Sequence, residues 1–153
     1  MQKLLGETAK RAIRYLEGLD ARSVAPVPTA IERLKEWDAP LPEGPTDPET
    51  VVALLDEIGS PATMAMAGPR FFGFVIGGAL PATLAANWLA GAWDQNTGLA
   101  AVTPGTAMLE RVALRWLLDV LGLPPTCGGA FVTGGTMANF TGLAAARHAL
   151  LAG

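Results

Sequence analysis

Residues 128–152 read GGAFVTGGTMANFTGLAAARHALLA, and this stretch constrains the fold more than any other. The short apolar run Ala130-Phe131-Val132 predicts a buried strand. Thr133-Gly134-Gly135-Thr136 predicts a sharp turn, and an alanine-rich helix follows it. A strand that enters a helix through a glycine turn is an anion site in waiting. The first helical N–H groups have no partner inside the helix, and the macrodipole places partial positive charge there. Glycines remove the Cβ atoms that would hold a phosphate away from those N–H groups. A cofactor phosphate is the ligand this turn is expected to take. Glycine turns of this kind occur throughout α/β proteins, so the turn by itself leaves the fold family open.

The distribution of charge adds a second constraint. Residues 1–57 carry 7 basic and 11 acidic side chains, whereas residues 58–153 carry 4 and 3. Charged residues make up 16% of the chain, against about a quarter in average domains. A segment so poor in charge cannot cover itself with polar surface, and large exposed apolar patches mark interaction sites. The second half is therefore expected to bury itself against more protein. The net charge of −3 gives no electrostatic footprint for nucleic acid. The single cysteine, Cys127, allows no internal disulfide and suits a reducing, cytoplasmic compartment. The single histidine, His148, leaves few zinc constellations within the chain. No signal peptide is legible at the N-terminus, and the apolar stretch 79–93 is broken by Pro81 and Asn87, so no membrane span is expected.

Taken in order, residues 3–20 read as an amphipathic helix, with Leu5, Ala9, Ala12, Leu16 and Leu19 inward and Lys10, Arg14 and Glu17 outward. Pro26 and Pro28 break it, and a shorter helix covers 29–37 with Ile31 and Leu34 inward. Residues 39–48 form a proline-rich connector. Asp47 and Pro48 open a helix that should bury Val51, Val52, Leu54, Leu55 and Ile58 in part and stop at Gly59. Residues 68–78 alternate aromatics and glycines without helical period and read as a loop or an extended segment. Pro81 opens a helix to Trp93, followed by the polar turn 94–98. Thr103-Pro104 then caps the clearest helix, to Leu121. Its apolar stripe is Leu109, Val112, Ala113, Trp116, Leu117 and Val120, and Arg115 and Asp119 are spaced for an i,i+4 pair. Gly122, Pro124 and Pro125 end it.

Four segments occur in a telling order: Gly68-Pro-Arg-Phe-Phe-Gly-Phe-Val, Trp93-Asp-Gln-Asn, Leu109-Glu-Arg-Val-x-x-x-Trp-Leu and Phe131-Val-Thr-Gly-Gly-Thr-Met-Ala-Asn. So ordered, they resemble the N-terminal third of the pyridoxal-phosphate-dependent group II decarboxylases, the relatives of aromatic-L-amino-acid and glutamate decarboxylases. The resemblance implies the α/β fold of the aspartate-aminotransferase type (fold type I) for the complete protein. It implies a mainly helical N-terminal fragment with one or two strands for this chain. Residues 1–60 then correspond to an N-terminal dimerisation arm, and residues 61–153 to the start of the large cofactor-binding domain.

The implied cofactor is pyridoxal 5′-phosphate, and the implied reaction is decarboxylation of an L-amino acid, a small-molecule substrate. By position, Gly134, Gly135 and Thr136 match the family's phosphate-binding turn, where Thr136 adds its hydroxyl to the backbone donors. An N-cap is the plainer role for the same threonine. Asn139 stands one turn further on, either buttressing the turn or facing solvent. Phe74 and Val75 match the family's substrate-pocket segment, although aromatics in an apolar half also serve as core. Trp93 to Asn96 match a segment that approaches the partner subunit's active site. Gly68 stands where many relatives carry histidine.

The same resemblance marks what is missing. The family's chemistry needs a Schiff-base lysine, an aspartate on the pyridine nitrogen and a stacking histidine. Lys3, Lys10 and Lys35 all precede the phosphate turn. Asp119 falls on the outer face of its helix, and His148 lies about 18 Å along the helix from Thr136 at 1.5 Å per residue, too far to stack over the ring. No catalytic residue and no metal ligand is therefore assigned here. The chain reads as the front part of an enzyme, inactive alone, that assembles as a homodimer or higher oligomer through its apolar half and the unpaired edge of 130–132. An aminotransferase or C–C lyase relative, or a non-catalytic helical oligomer, remains the alternative.

Overall fold

The computed structural model describes residues 1–151, and the elements among them are helical. Helix α1 spans Gln2–Glu17. Helix α2, Pro28–Arg33, tightens into a 3₁₀ turn over Leu34–Trp37. Helix α3, Pro48–Leu54, passes through a π turn at Leu55–Gly59 into a last short turn, α4, Ser60–Ala62. Helix α5 covers Pro81–Trp93, α6 Pro104–Val120 and α7 Gly135–Leu151. The chain gathers into two compact units, one of residues 1–86 and one beginning at Asn87.

The first unit closes around Ile58, the one large side chain almost wholly removed from solvent at 1% exposure, with Leu19, Ala30 and Ala65 also buried. Asp47 caps α3 as its sequence predicts, its Oδ2 accepting from Thr50 N at 3.0 Å and from Thr50 Oγ1 at 3.1 Å. The helix does not stop at Gly59. Gly59 is right-handed helical, at φ −73° and ψ −49°, and the chain turns extended only at Thr63. The glycine serves packing instead, since a Cβ on it would lie 2.9 Å from Cη2 of Trp37.

Polar contacts complete this unit. Asp56 accepts from Nη1 of Arg11 at 2.8 Å, Nη2 of Arg14 at 2.7 Å and Oγ of Ser60 at 2.7 Å. Those three donors, the Ser60 hydroxyl foremost, hold its carboxyl below the usual range. Arg11 lies inward to reach it, and Leu5 stays exposed although the apolar spacing predicts it inside. Arg22 donates to the carbonyls of Ser60, Pro61 and Thr63 at 3.0, 3.3 and 2.6 Å, and its guanidinium lies over the Tyr15 ring. A cation at the carbonyl end of a helix is where the dipole favours one.

In the second unit α6 ends as predicted at Gly122, whose φ of +65° suits glycine. Gly122 N donates to Asp119 O and Leu123 N to Leu118 O, which satisfies the last carbonyls. Three other sequence expectations fail here. Thr103 makes no side-chain cap and donates to Leu99 O instead, at 3.2 Å. No Arg115–Asp119 ion pair forms, and the ion pairs among the described residues all fall within residues 1–57. The buried residue of α6 is Leu118, while Trp116 and Val120, members of the expected inner stripe, are 66% and 82% exposed.

The expected strand at 130–132 is also corrected. Those residues have no ladder partner among the described residues, and no strand is present there. A strand exists only through bonds to a neighbour, and no other described segment supplies one. The apolar surplus has the same consequence. The accessible surface is 12350 Å². A folded monomer of 15.8 kDa would expose about 7,300 Å², and two wholly separate units of the same total about 8,800 Å². Among the described residues no helix is long and apolar enough to cross a membrane.

Candidate cofactor-phosphate site

The turn at Thr133–Thr136 is built by its neighbours on both sides. Upstream, the chain passes so close to α6 that a Cβ on Gly129 would lie 2.6 Å from Cδ1 of Leu114. Glycine at 129 lets the connector lie against the helix, and a larger residue there would have to push the Leu114 side chain aside. Gly134 then takes φ +143°, a backbone conformation that L side chains avoid. Helix α7 starts at once, and its first internal bond runs from Ala138 N to Gly134 O at 3.0 Å.

That bond leaves the N–H groups of Gly135, Thr136 and Met137 without a backbone acceptor among the described residues. No side chain caps them either, in contrast with Asp47 on α3, and the first turn of α7 carries no acidic residue. Three exposed donors at the positive end of a 17-residue helix form a cradle for an anion. Gly135 has no role in the chain's own packing, because a Cβ there would meet nothing within 4 Å. Its φ is not left-handed, so the backbone does not require glycine either. The empty space that its missing side chain leaves borders the free N–H groups. Thr136 is exposed beside them.

The other sequence-predicted residues are placed as follows. Phe74 and Val75 follow Gly73 in the exposed loop between α4 and α5. Both have positive φ, +58° and +55°. Phe74 stacks on Phe71 with ring centroids 6.5 Å apart, and Val75 is fully exposed. Asp94 also has positive φ, +47°, which ends α5. Gln95 Nε2 donates back to Trp93 O at 2.6 Å, and Asn96 Oδ1 accepts from Gly98 N at 3.0 Å. Asn139 and His148 are exposed on α7. Lys3 pairs with Glu49 and Lys10 with Glu7, and Lys35 is exposed on the 3₁₀ turn. Among the described residues no group of histidine, cysteine or carboxylate side chains is placed to hold a metal ion. Gly68 sits in a close turn: a Cβ would come 3.2 Å from Ala65 O, and at 3.7 Å it would be in ordinary contact with Leu19 Cβ.

Residues 31–152 match the model of the pyridoxal-dependent decarboxylase conserved domain. The chain belongs to that family. It is 31% identical over 111 residues to an aromatic-L-amino-acid decarboxylase of Bacillus atrophaeus, an alignment covering 72% of this chain and 23% of the relative. The chain thus spans less than a quarter of that relative's length. Pyridoxal 5′-phosphate is the cofactor of this family, and the family is one of fold type I. The fit of the turn to the cofactor's phosphate rests on the free donors and on Gly135, a glycine that the chain itself does not need.

Proposed function

We propose that this chain supplies the phosphate cradle, and part of the substrate pocket, of a pyridoxal-phosphate-dependent L-amino-acid decarboxylase. The observation that carries the reading is the uncapped start of α7, where the N–H groups of residues 135–137 stand free beside a glycine with no packing role. Gly134, Gly135 and Thr136 would hold the phosphate, the first by its turn, the second by the room it leaves and the third by its hydroxyl. When bound, the cofactor supplies an electron-withdrawing ring that takes up the electron pair released as the Cα–carboxylate bond breaks. The chain's own part is to fix the phosphate, and through it the orientation of that ring.

Phe74 and Val75 would line the substrate side. The name of the Bacillus relative makes an aromatic L-amino acid the first substrate class to assay, and the aromatic loop 71–74 suits a flat apolar side chain. Lys3, Lys10 and Lys35 all lie in the first unit and two of them are engaged in ion pairs, so the Schiff-base lysine is expected outside residues 1–153 and the isolated chain is expected to be inactive. The apolar outer face of α6 and the unpaired segment 130–132 favour assembly as a homodimer or higher oligomer. The exposed unpaired thiol of Cys127 suits the reducing cytoplasm.

Fluorescence titration with pyridoxal phosphate, with inorganic phosphate as competitor, tests the cradle. Gly135→Val should weaken phosphate-competable binding about tenfold by filling the space before the donors, with unchanged unfolding behaviour because a side chain there meets nothing. Equal binding by the wild type and Gly135→Val would refute the assignment.

A further inference from the structure

We propose that Arg70 is a positioning residue, whose guanidinium fixes the Phe71–Val75 loop to the end of α1 and so sets the shape of the substrate side of the site. The proposal rests on the reading that Phe74 and Val75 face the substrate. Nη2 of Arg70 donates to Asp20 O at 3.0 Å and to Arg22 O. These carbonyls belong to the turn that follows α1. The same turn is engaged at other points. Ala65 N donates to Val24 O at 3.0 Å, and Gly68 lies against Leu19. Arg22 in turn holds the carbonyls after Ser60 with its side chain. Residues 65–70 are therefore stapled to residues 19–24, and Arg70 is the last staple.

Beyond it the chain changes character. Phe72 and Phe74 are 92% and 82% exposed, and Val75 is fully exposed. Two consecutive residues with side chains, one of them β-branched, hold left-handed φ values. Such a backbone conformation is strained for a residue with a side chain. The stacking of Phe74 on Phe71 closes the loop at one side, and Arg70, adjacent to Phe71, fixes the base of that stack. Near the base, the other hydrogen bond on Phe71 is from its N–H to Gly68 O, at 3.4 Å. Without the guanidinium the loop is free to relax toward ordinary φ, and the pocket wall moves with it. A lysine retains the charge and enough donors for both carbonyls but not the planar, pre-organised guanidinium, so Arg70→Lys should keep part of the effect and Arg70→Met none.

Two measurements test this. In the chain as described, chymotrypsin should cut after Phe71, Phe72 or Phe74 about tenfold faster in Arg70→Met than in wild type, as expected for loss of charge-assisted bonds worth a tenfold change in opening. Arg70→Lys should fall between, and the urea midpoint should move little. In the cofactor-loaded active enzyme, Arg70→Met should raise KM for an aromatic L-amino acid about tenfold with kcat changed by less than about twofold, the mark of lost ground-state positioning. Phe74→Ala is the control for the pocket. Unchanged cleavage in Arg70→Met overturns the proposal whatever KM does. Faster cleavage with unchanged KM also overturns it, and Phe74→Ala then separates the causes. If Phe74→Ala raises KM, Arg70 does not act on the pocket; if it does not, the pocket assignment itself has failed.

Discussion

Replacing Gly59 by alanine should destabilise the protein, against the ordinary direction of that change in a helix. In an exposed helix interior alanine is favoured over glycine by about 1 kcal/mol. The backbone at Gly59, φ −73° and ψ −49°, accepts alanine without strain. The obstacle is Trp37, whose Cη2 and Cζ2 would stand 2.9 and 3.1 Å from the new Cβ. Carbon atoms rest at about 3.5–4.0 Å, so the indole must be compressed or must leave. Compression costs about 1–3 kcal/mol. Departure would forfeit the buried part of an indole that is now 42% exposed, on the order of 2–3 kcal/mol at about 25 cal/mol per Å². Either route outweighs the helix propensity, and the net loss should be about 1–2 kcal/mol. With Trp37 already replaced by alanine the obstacle is gone, and Gly59→Ala should then stabilise by about 1 kcal/mol. Urea unfolding of the four proteins of this cycle, followed by far-ultraviolet circular dichroism, reads the reversal of sign directly. A stabilising effect in both backgrounds would mean that the approach of the indole is not the reason residue 59 is glycine.

Further expectations follow from the same packing. Ile58→Ala should cost about 2–5 kcal/mol and Leu55→Ala, exposed at the start of the same π turn, less than about 0.5 kcal/mol, measured by the same unfolding curves; equal costs would contradict a core centred on Ile58. The stabilisation that Asp56 gains from Ser60, Arg11 and Arg14 should be fully present above about pH 4, where an unfolded aspartate is ionised. It should be lost as pH falls through the depressed folded value. Asp56→Asn should therefore lower the urea midpoint at neutral pH and have little effect in strong acid, and a difference independent of pH would exclude this origin. Light scattering at micromolar concentration should detect association of the chain, given its uncovered apolar surface; a clean monomer would remove that expectation.

Local rules made much of this protein legible. The caps and breakers at Asp47, Pro48, Pro81, Pro104 and Gly122 set helix starts and ends because each acts through its own φ or through a bond to a residue a few positions away. The order of four short segments was enough to bring the decarboxylase family into view, and the glycine turn at 133–136 falls where the sequence puts it, at the start of a helix with free N–H groups. The charge-poor second half likewise foretold an apolar surface left uncovered. Contacts between distant residues decided the rest. Trp37 made Gly59 a site of close approach rather than a helix end, and Asp56 drew Arg11 inward and left Leu5 outside. Arg70 reached back to the carbonyls of residues 20 and 22 with no periodicity to announce it. The segment 130–132 has the composition of a strand, but a strand is a relation between segments, and no described segment pairs with it. Sequence spacing carries what a residue does to its own turn of chain; which distant group it meets is settled only when the chain has folded.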